Sequence, residues 1–163
     1  MEYDFGSSGE ESVSFSTEPH IVTLNIDNAP EMAYIASQAH SHPMSLSTIE
    51  SCFGHLYQSF GIYLADELQG FAIVHQVFED ATLMDICISP KSQGRGFGRL
   101  LLESVIESAN EKGAETLFLE VRKSGLAAIS LYKREGFKET GHRKGYYKTA
   151  DGNEDAILMK LAF

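Results

Sequence analysis

The sequence is poor in cysteine, in long apolar runs and in basic residues, and each shortage excludes a class of protein. Cys52 and Cys87 are too few for a disulfide framework. No apolar run approaches the roughly 18 residues of a membrane-spanning helix, and the start lacks the basic flank and apolar segment of a secretory signal. A net charge of −10 excludes a broadly basic nucleic-acid surface. We therefore expect a cytoplasmic protein that contacts neither membrane nor nucleic acid directly.

The first nineteen residues differ in composition from the rest. They are rich in Ser, Gly and Glu, and the first eighteen contain five acidic residues and no Lys or Arg. Such a segment cannot bury enough apolar surface to offset the entropy lost on ordering, so residues 1–19 are predicted to be a mobile acidic tail. The alternative is an additional strand, because Val13 and Phe15 alternate with serine. Residues 20–163 have the length of one domain.

Apolar spacing beyond the tail alternates between strand and helix patterns. Strands occur both as a hairpin and as a β-α-β-α-β run, which predicts an α/β protein with a mixed central sheet flanked by helices. The predicted elements are a strand at Ile21–Ile26, a helix starting at Asp27–Pro30, a short helix capped by Ser45 or Ser47, a hairpin of Ile62–Ala65 and Phe71–Val74 joined across Asp66–Gly70, a strand at Ala81–Ile88, a helix from Phe97 to Ala109, a strand at Thr116–Val121, a helix at Leu126–Arg134, and two strands around Tyr146-Tyr147 and Ala156–Leu161.

A glycine-rich turn opens the clearest helix. It reads Gln93-Gly94-Arg95-Gly96-Phe97-Gly98-Arg99 and follows a strand that stops at Pro90. Glycines let backbone amides approach an anion, and a helix N-terminus adds free N–H groups and the positive end of its dipole. Arg95 and Arg99 add positive charge. The spacing fits neither a dinucleotide fold nor a P-loop, so the turn predicts a different pyrophosphate site, with a purely structural turn as the alternative.

The turn resembles the Q/R-x-x-G-x-G/A pyrophosphate loop of the GNAT superfamily of N-acetyltransferases. Four further motifs are similar to the branch that acetylates ribosomal proteins: Leu119-Glu120-Val121-Arg122, Ala127–Tyr132, Tyr146-Tyr147 and Glu154–Met159. The resemblance covers about residues 20–163. It implies the GNAT fold, with a mostly antiparallel mixed sheet and a splayed strand pair that holds acetyl-CoA. It also implies direct acetyl transfer, without a metal, to the α-amino group of an N-terminal alanine on a basic ribosomal protein such as S18.

The resemblance also implies catalytic roles for Glu120 and Tyr132. Glu120 lies within the apolar run Thr116–Val121, where removal from water would tune a carboxylate to accept the proton of the acceptor amine. Tyr132 would protonate the departing CoA thiolate. Surface or packing roles are the alternatives for both residues. The tyrosine pair Tyr146-Tyr147 is expected near the substrate amine.

The remaining site predictions concern the cofactor. The backbone of Ile86, Cys87 and Ile88 is expected to pair with the pantetheine arm, and the loop residues Gly94, Arg95, Gly96, Phe97, Gly98 and Arg99 with the pyrophosphate. Cys87 is interpreted as part of the wall of the cofactor site and not as a nucleophile that carries the acetyl group, because apolar neighbours raise the pKa of a thiol. The family usually has Ser-Asn after V-R-x, whereas this chain has Lys123-Ser124-Gly125, so one cofactor contact is predicted to be lost or rerouted.

Two short motifs suggest metal ligands, namely His40-x-His42 and Cys52-x-x-His55. Neither has a second pair at zinc spacing, so scattered histidines are the favoured interpretation. Two rival functions stay open at this point. One is acetylation of a small-molecule amine, and the other is a non-catalytic acetyl-CoA-binding module.

Overall fold

The computed structural model describes residues 18–163, so the predictions for Val13, Phe15 and most of the acidic tail fall outside the described residues. No helix within 18–163 is long and apolar enough to cross a membrane. The strands are β1 (His20–Thr23), β2 (Tyr57–Leu64), β3 (Glu67–Val77), β4 (Asp80–Ile88), β5 (Thr116–Arg122), β6 (Lys138–Thr149) and β7 (Gly152–Ala162), and the helices are α1 (Ala29–Ala39), α2 (Leu46–Glu50), α3 (Phe97–Glu111) and α4 (Leu126–Arg134). The seven strands form one mixed sheet in the order β1-β2-β3-β4-β5-β7-β6.

The described residues form two compact units. The first comprises residues up to Ile73 together with Asp85–Leu102. Its helix α1 has a proline in the first turn, where the missing N–H costs nothing, and the Ser45 hydroxyl caps α2 by accepting a bond from the Thr48 amide at 3.2 Å. The apolar faces of both helices belong to one core with residues of β3 and β4. This core includes Met32, Ile35, Ile49, Cys52, Phe71, Ile73 and Cys87.

The second unit comprises Val74–Met84 and Glu103–Phe163. Strand β5 pairs antiparallel with β7 from Thr116 opposite Ala162 to Arg122 opposite Ala156, and β6 pairs antiparallel with the other edge of β7. Leu117, Leu119 and Met159 are fully or almost fully buried. Alternation along β5 thus turns one set of side chains into the core and the other set away from it.

The predicted helix at Leu126–Arg134 is confirmed at both ends, whereas several strand boundaries were wrong. Strand β1 stops at Thr23 because the Asn25 side chain accepts a bond from the Asp27 amide and starts a 3-10 turn. The hairpin loop is the two residues Ala65 and Asp66, both at positive φ, so Glu67–Gly70 belong to β3 and not to the turn. Strands β6 and β7 run well beyond the predicted segments.

Candidate active site

A cleft opens in the second unit where two neighbouring strands separate. Strands β4 and β5 run parallel and pair at three positions, from Asp80 opposite Thr116 to Thr82 opposite Phe118. Beyond this register both strands line a cavity of about 560 Å³, which we call the strand cleft. Splayed strands leave backbone groups available to a ligand that adds to their edges. The lining residues are Thr82, Leu83, Met84, Phe118, Leu119, Glu120, Thr140, Arg143, Tyr147, Leu158 and Met159.

Glu120 lines the strand cleft and meets a cation there. Its carboxylate Oε2 lies 3.1 Å from Nε of Arg143, and its side chain is 31% exposed. The expectation of an apolar, water-free setting for this carboxylate was therefore wrong. Leu117 and Leu119 face the core, while Phe118, also partly exposed, and Glu120 face the other side of β5.

Tyr147 also lines the strand cleft. The guanidinium carbon of Arg122 lies 4.4 Å from the centroid of its ring. Burial raises the pKa of Tyr147, and the neighbouring Glu120 carboxylate raises it further. The phenol is therefore neutral at physiological pH and can donate a hydrogen bond.

Arg122 is held in place by a carboxylate on β7. Its Nη1 lies 3.3 Å from Oε1 of Glu154, and the Ser124 amide donates to the other oxygen, Oε2, at 2.6 Å. Side-chain and backbone hydrogen bonds from Ser124, with a smaller contribution from Arg122, lower the pKa of Glu154. This network ties the end of β5 to β7 beneath the ring of Tyr147.

The tyrosine pair lies next to a break in the β6 register. The pairing of β6 with β7 shifts between Arg143 and Tyr147, and Gly145 within that stretch has φ of +61° and donates its amide to Asp155 Oδ1 at 2.9 Å. The ring centroids of Tyr146 and Tyr147 lie 5.1 Å apart in an edge-on arrangement. The guanidinium carbon of Arg143 lies 5.2 Å from the ring centroid of Tyr146. Such a bulge re-aims side chains next to a site.

Tyr132, the predicted acid, lies in the core of the second unit. It is 5% exposed, and its ring centroid is 5.7 Å from that of Phe137. It is not among the residues that line the strand cleft. The structure therefore brings Glu120 together with Arg143 and Tyr147, and the role of Tyr132 stays a prediction.

The glycine turn of the first unit has the backbone that an anion cradle requires. Gly94 and Gly96 have φ of +77° and +83°, a region that side chains disfavour. A Cβ added at either position would meet nothing within 4 Å, so the space beside this backbone is open. The guanidinium of Arg95 lies over the ring of Phe97 at 5.0 Å, where α3 begins.

Polar bonds fix the base of this turn to β3 and β4. The buried Ser92 hydroxyl donates to Gln69 Oε1, the Gln93 side chain donates to the Ile88 carbonyl at 3.1 Å, and Lys91 bridges Glu67 at 3.0 Å. The turn is thus anchored on both sides while its glycines stay open.

Cys87 lies on β4 between Ile86 and Ile88. It is 2% exposed, and burial, followed by the Asp85 carboxylate, strongly raises the pKa of its thiol. A buried, protonated thiol is a poor nucleophile, which favours a role for Cys87 in lining the cofactor site. Its Sγ nevertheless has a polar partner, because Nε2 of His40 lies 2.8 Å away. His40 is thus brought to β4 and not to His42.

Gly125, which stands where the family has asparagine, has little room for a side chain. A Cβ there would lie 3.2 Å from the Arg122 carbonyl and 3.3 Å from Cγ2 of Val121. The residue precedes α4 without a side-chain cap. The residue before it, Ser124, donates its backbone amide to the Glu154 carboxylate.

Sequence reasoning missed Arg143 and the Arg122–Glu154 pair. The available signal was an arginine four residues before Tyr147 in a predicted strand, which is too common a pattern to single out. The pairing depends on the register of β6 on β7, and that register includes a bulge.

Comparison with known proteins identifies a family. The model of the acetyltransferase (GNAT) family matches residues 23–137. The [ribosomal protein bS18]-alanine N-acetyltransferase of Escherichia coli K12 is 41% identical over 141 residues, which covers 86% of this chain and 95% of that protein. The protein of the same description from Haemophilus influenzae is 43% identical over 126 residues, with 77% and 86% covered.

Solved structures agree with this sequence similarity. The crystal structure of the ribosomal-protein-S18-alanine N-acetyltransferase from Escherichia coli superposes with a TM-score of 0.86 at 40% identity, covering 89% of this chain and 94% of that one. A probable acetyltransferase from Staphylococcus epidermidis gives 0.77 at 17% identity, covering 89% and 99%. The second comparison supports the fold alone.

Proposed function

The chain belongs to the GNAT family of acetyltransferases, and from this premise we propose that it transfers the acetyl group of acetyl-CoA to the α-amino group of an N-terminal alanine on a ribosomal protein of the bS18 type. The relatives from Escherichia coli and Haemophilus influenzae carry this activity in their names. Residues 20–163 are the proposed acetyltransferase domain. Because the acceptor is a ribosomal protein, the enzyme is expected in the cytoplasm.

The observation that carries the proposal is a carboxylate in the strand cleft with a cation beside it. Glu120 lies 3.1 Å from the guanidinium of Arg143, so its position suits a positively charged group. The α-ammonium group of a peptide is such a group. An incoming N-terminus can therefore take the position of the guanidinium and leave its proton with the carboxylate.

The glycine turn and β4 are proposed to hold the co-substrate. The open space beside Gly94 and Gly96 leaves their amides accessible to a pyrophosphate, and Arg95, Phe97, Gly98 and Arg99 continue the same turn into α3. The backbone of Ile86, Cys87 and Ile88 would pair with the amides of the pantetheine arm. These residues fit a large anionic thioester better than a small neutral one.

The proposed chemistry needs one acyl transfer and three proton transfers. Glu120 takes a proton from the ammonium group, and the freed nitrogen attacks the thioester carbonyl. The carbon–sulfur bond then breaks, and the Tyr132 hydroxyl protonates the departing thiolate. The nitrogen loses its second proton as the amide forms, and that proton restores the tyrosine hydroxyl by way of solvent. Tyr147, a neutral phenol in the cleft wall, is positioned to hydrogen-bond the acceptor. No residue of this chain carries the acetyl group in this scheme.

The acceptor class follows from charge and from the relatives. The chain has a net charge of −10, which favours encounter with a basic polypeptide. Side chains of the cleft wall, including Arg143 and Tyr147, would contact the first residues of that polypeptide. A small N-terminal residue such as alanine leaves room for both.

Steady-state acetylation of short peptides tests this proposal. A basic peptide that starts with alanine is compared with the same peptide blocked at its α-amino group, with the same peptide starting with leucine, and with polyamines and free amino acids. The expected result is a mass gain of one acetyl group on the free Ala peptide alone. Preference for a polyamine or free amino acid would replace the proposal with small-amine acetylation. Saturable acetyl-CoA binding without any transfer would replace it with a binding module.

A further inference from the structure

Three potential metal ligands from two elements meet in the first unit and have no part in the proposed reaction. The Cys87 Sγ lies 2.8 Å from His40 Nε2 and 3.5 Å from Asp85 Oδ2. Asp85 Oδ1 lies 3.3 Å from the same nitrogen of His40. One ligand atom from each residue can be chosen so that all lie within 4.8 Å of one another. The cofactor role proposed for Cys87 uses its backbone, so its thiol is uncommitted.

The arrangement follows from the elements that carry the three residues. Asp85 and Cys87 are two residues apart on β4, so their side chains share one face of the strand. His40 is the residue that ends α1, with its amide donating to the Ala36 carbonyl at 3.0 Å. The thiol is buried, the Asp85 side chain is 15% exposed and the His40 side chain is 38% exposed. The cluster therefore has a rigid base and one ligand open to solvent.

The distances are close to those of a tetrahedral metal centre. Bonds of about 2.0–2.3 Å from zinc to nitrogen, oxygen and sulfur place neighbouring ligands about 3.3–3.6 Å apart. The separation of 3.3 Å from His40 Nε2 to Asp85 Oδ1 and that of 3.5 Å from Cys87 Sγ to Asp85 Oδ2 fall in this range. They involve the two different carboxylate oxygens, so the carboxylate would rotate to present one oxygen to the ion. The sulfur–nitrogen separation of 2.8 Å is shorter. Metal binding would therefore require the partly exposed imidazole to shift outward.

The donor set selects the kind of ion. A thiolate, an imidazole and a carboxylate together suit Zn²⁺ and related borderline-soft divalent ions, whereas Ca²⁺ and Mg²⁺ take oxygen ligands. A nucleophilic Cys-His-Asp triad fits the geometry less well. Such a triad uses one ring nitrogen for the thiol and the other for the carboxylate, but here both contacts are to Nε2.

We propose that His40, Asp85 and Cys87 bind one Zn²⁺ ion, with the fourth position of the tetrahedron open to water. The ion would join the end of α1 to β4 through its ligands. Binding takes the thiolate form of cysteine, so the Sγ proton is released as the metal enters. None of the three residues is among those that line the strand cleft, and the acetyl transfer proposed above uses none of their side chains.

Cobalt titration of the metal-stripped full-length protein tests the site directly. Co²⁺ replaces Zn²⁺ in such sites, and a bound thiolate gives a charge-transfer absorption band that free thiols do not give. Wild type should bind one Co²⁺ per chain with this band, and Zn²⁺ should displace it. Cys87→Ala should abolish the band, and His40→Ala should weaken binding by at least about tenfold.

Matched controls distinguish the cluster from adventitious binding. Cys52 is also a buried thiol of the same core, and it donates to the Thr48 carbonyl at 3.3 Å, so Cys52→Ala should leave the band intact. His42→Ala should do the same. Circular dichroism confirms that each variant is folded. The proposal is wrong if wild type shows no thiolate band, or if the band survives in Cys87→Ala or depends on Cys52.

Discussion

The glycine turn and the strand cleft present ligand-binding groups in opposite ways. In the turn, binding capacity lies in the backbone, because Gly94 and Gly96 hold left-handed conformations with open space beside them. In the cleft it lies in side chains, because Glu120 on β5 pairs with Arg143 on β6 and raises the pKa of Tyr147, also on β6. A backbone site is formed by residues that are consecutive in the sequence, whereas a side-chain site depends on how the strands pair.

This contrast predicts different responses to substitution. A backbone site fails when its conformation is blocked or the space beside its amides is filled. A side-chain site keeps its shape when one functional atom is replaced but loses the chemistry of that atom.

The largest effect is expected at the carboxylate. Glu120→Gln keeps the shape of the side chain but removes its capacity to accept a proton, so kcat/KM for an Ala-initiated peptide should fall by roughly 10²–10⁴-fold. The Kd for acetyl-CoA, measured by calorimetry, should hardly change. Glu139→Gln is the matched control, since Glu139 is an exposed carboxylate on β6 paired with Lys133. If Glu120→Gln keeps more than a third of wild-type turnover, Glu120 is not the base.

The next largest effect is expected at the general acid, and it distinguishes Tyr132 from Tyr147 in that role. Tyr132→Phe should lower kcat by about 10²-fold, at the low end of the range for general acids because a thiolate is already a stable leaving group. Tyr147→Phe should affect KM for the peptide more than kcat. Steady-state kinetics on both variants decide the point. A larger loss of kcat in Tyr147→Phe would transfer the acid role to the tyrosine that lines the cleft.

Blocking the backbone of the turn should weaken acetyl-CoA binding. Gly96→Val places a branched side chain at a φ of +83°, which costs about 1–3 kcal/mol of strain, and fills the open space beside the amides. We expect Kd for acetyl-CoA to rise by about 10–100-fold. Gly113→Val carries similar strain, at a φ of +86° and also without neighbours, but lies after α3. Equal affinities in these two variants would contradict the cradle.

A smaller effect is expected at the cation beside Glu120. Arg143→Met removes the charge that competes with the substrate ammonium group, so KM for the peptide should fall. Both partners are partly exposed, and such pairs contribute about 0–1 kcal/mol, so the fall should not exceed about fivefold. Arg143→Lys keeps the charge and serves as the control. A rise of KM in Arg143→Met would mean that the arginine binds substrate.

The smallest effect is expected from the acidic tail. When residues 1–19 are removed, the chain starts at the first residue of β1. The kcat/KM for the peptide should stay within a few-fold of the wild-type value, because the segment has no core-forming pattern. Activity and the thermal midpoint of unfolding are measured together. A large drop in the thermal midpoint would favour the alternative, in which Val13 and Phe15 add a strand.

The elements that could be predicted from sequence are those with local signals. Helix α4 and the glycine turn have boundary residues next to them in the chain, such as Gly136 at φ of +102°. Strand β6 lacks such a signal because most of its side chains are exposed, so no apolar alternation marks its length.

The errors at the site have the same origin. The apolar run around Glu120 indicates burial, but Phe118 and Glu120 are partly exposed while Leu117 and Leu119, on the other face of β5, are buried. The Arg143–Glu120 contact depends on the register of β6 against β7, in which Arg143 lies opposite Ala156. The approach of His40 to Cys87 joins residues on separate elements. Each of these depends on tertiary pairing, which residue spacing does not encode.

The early end of the β4–β5 pairing has a consequence for the solubility of the protein when no co-substrate is bound. Two strand edges inside a sheet stay unpaired with each other there, whereas most proteins keep free edges at the margins, where charged residues or a loop protect them. Phe118, an exposed apolar residue, lies in the strand cleft beside these edges. In the binding mode proposed above, acetyl-CoA would pair with one of these edges and cover it. The free protein should then aggregate more readily than the protein with acetyl-CoA bound.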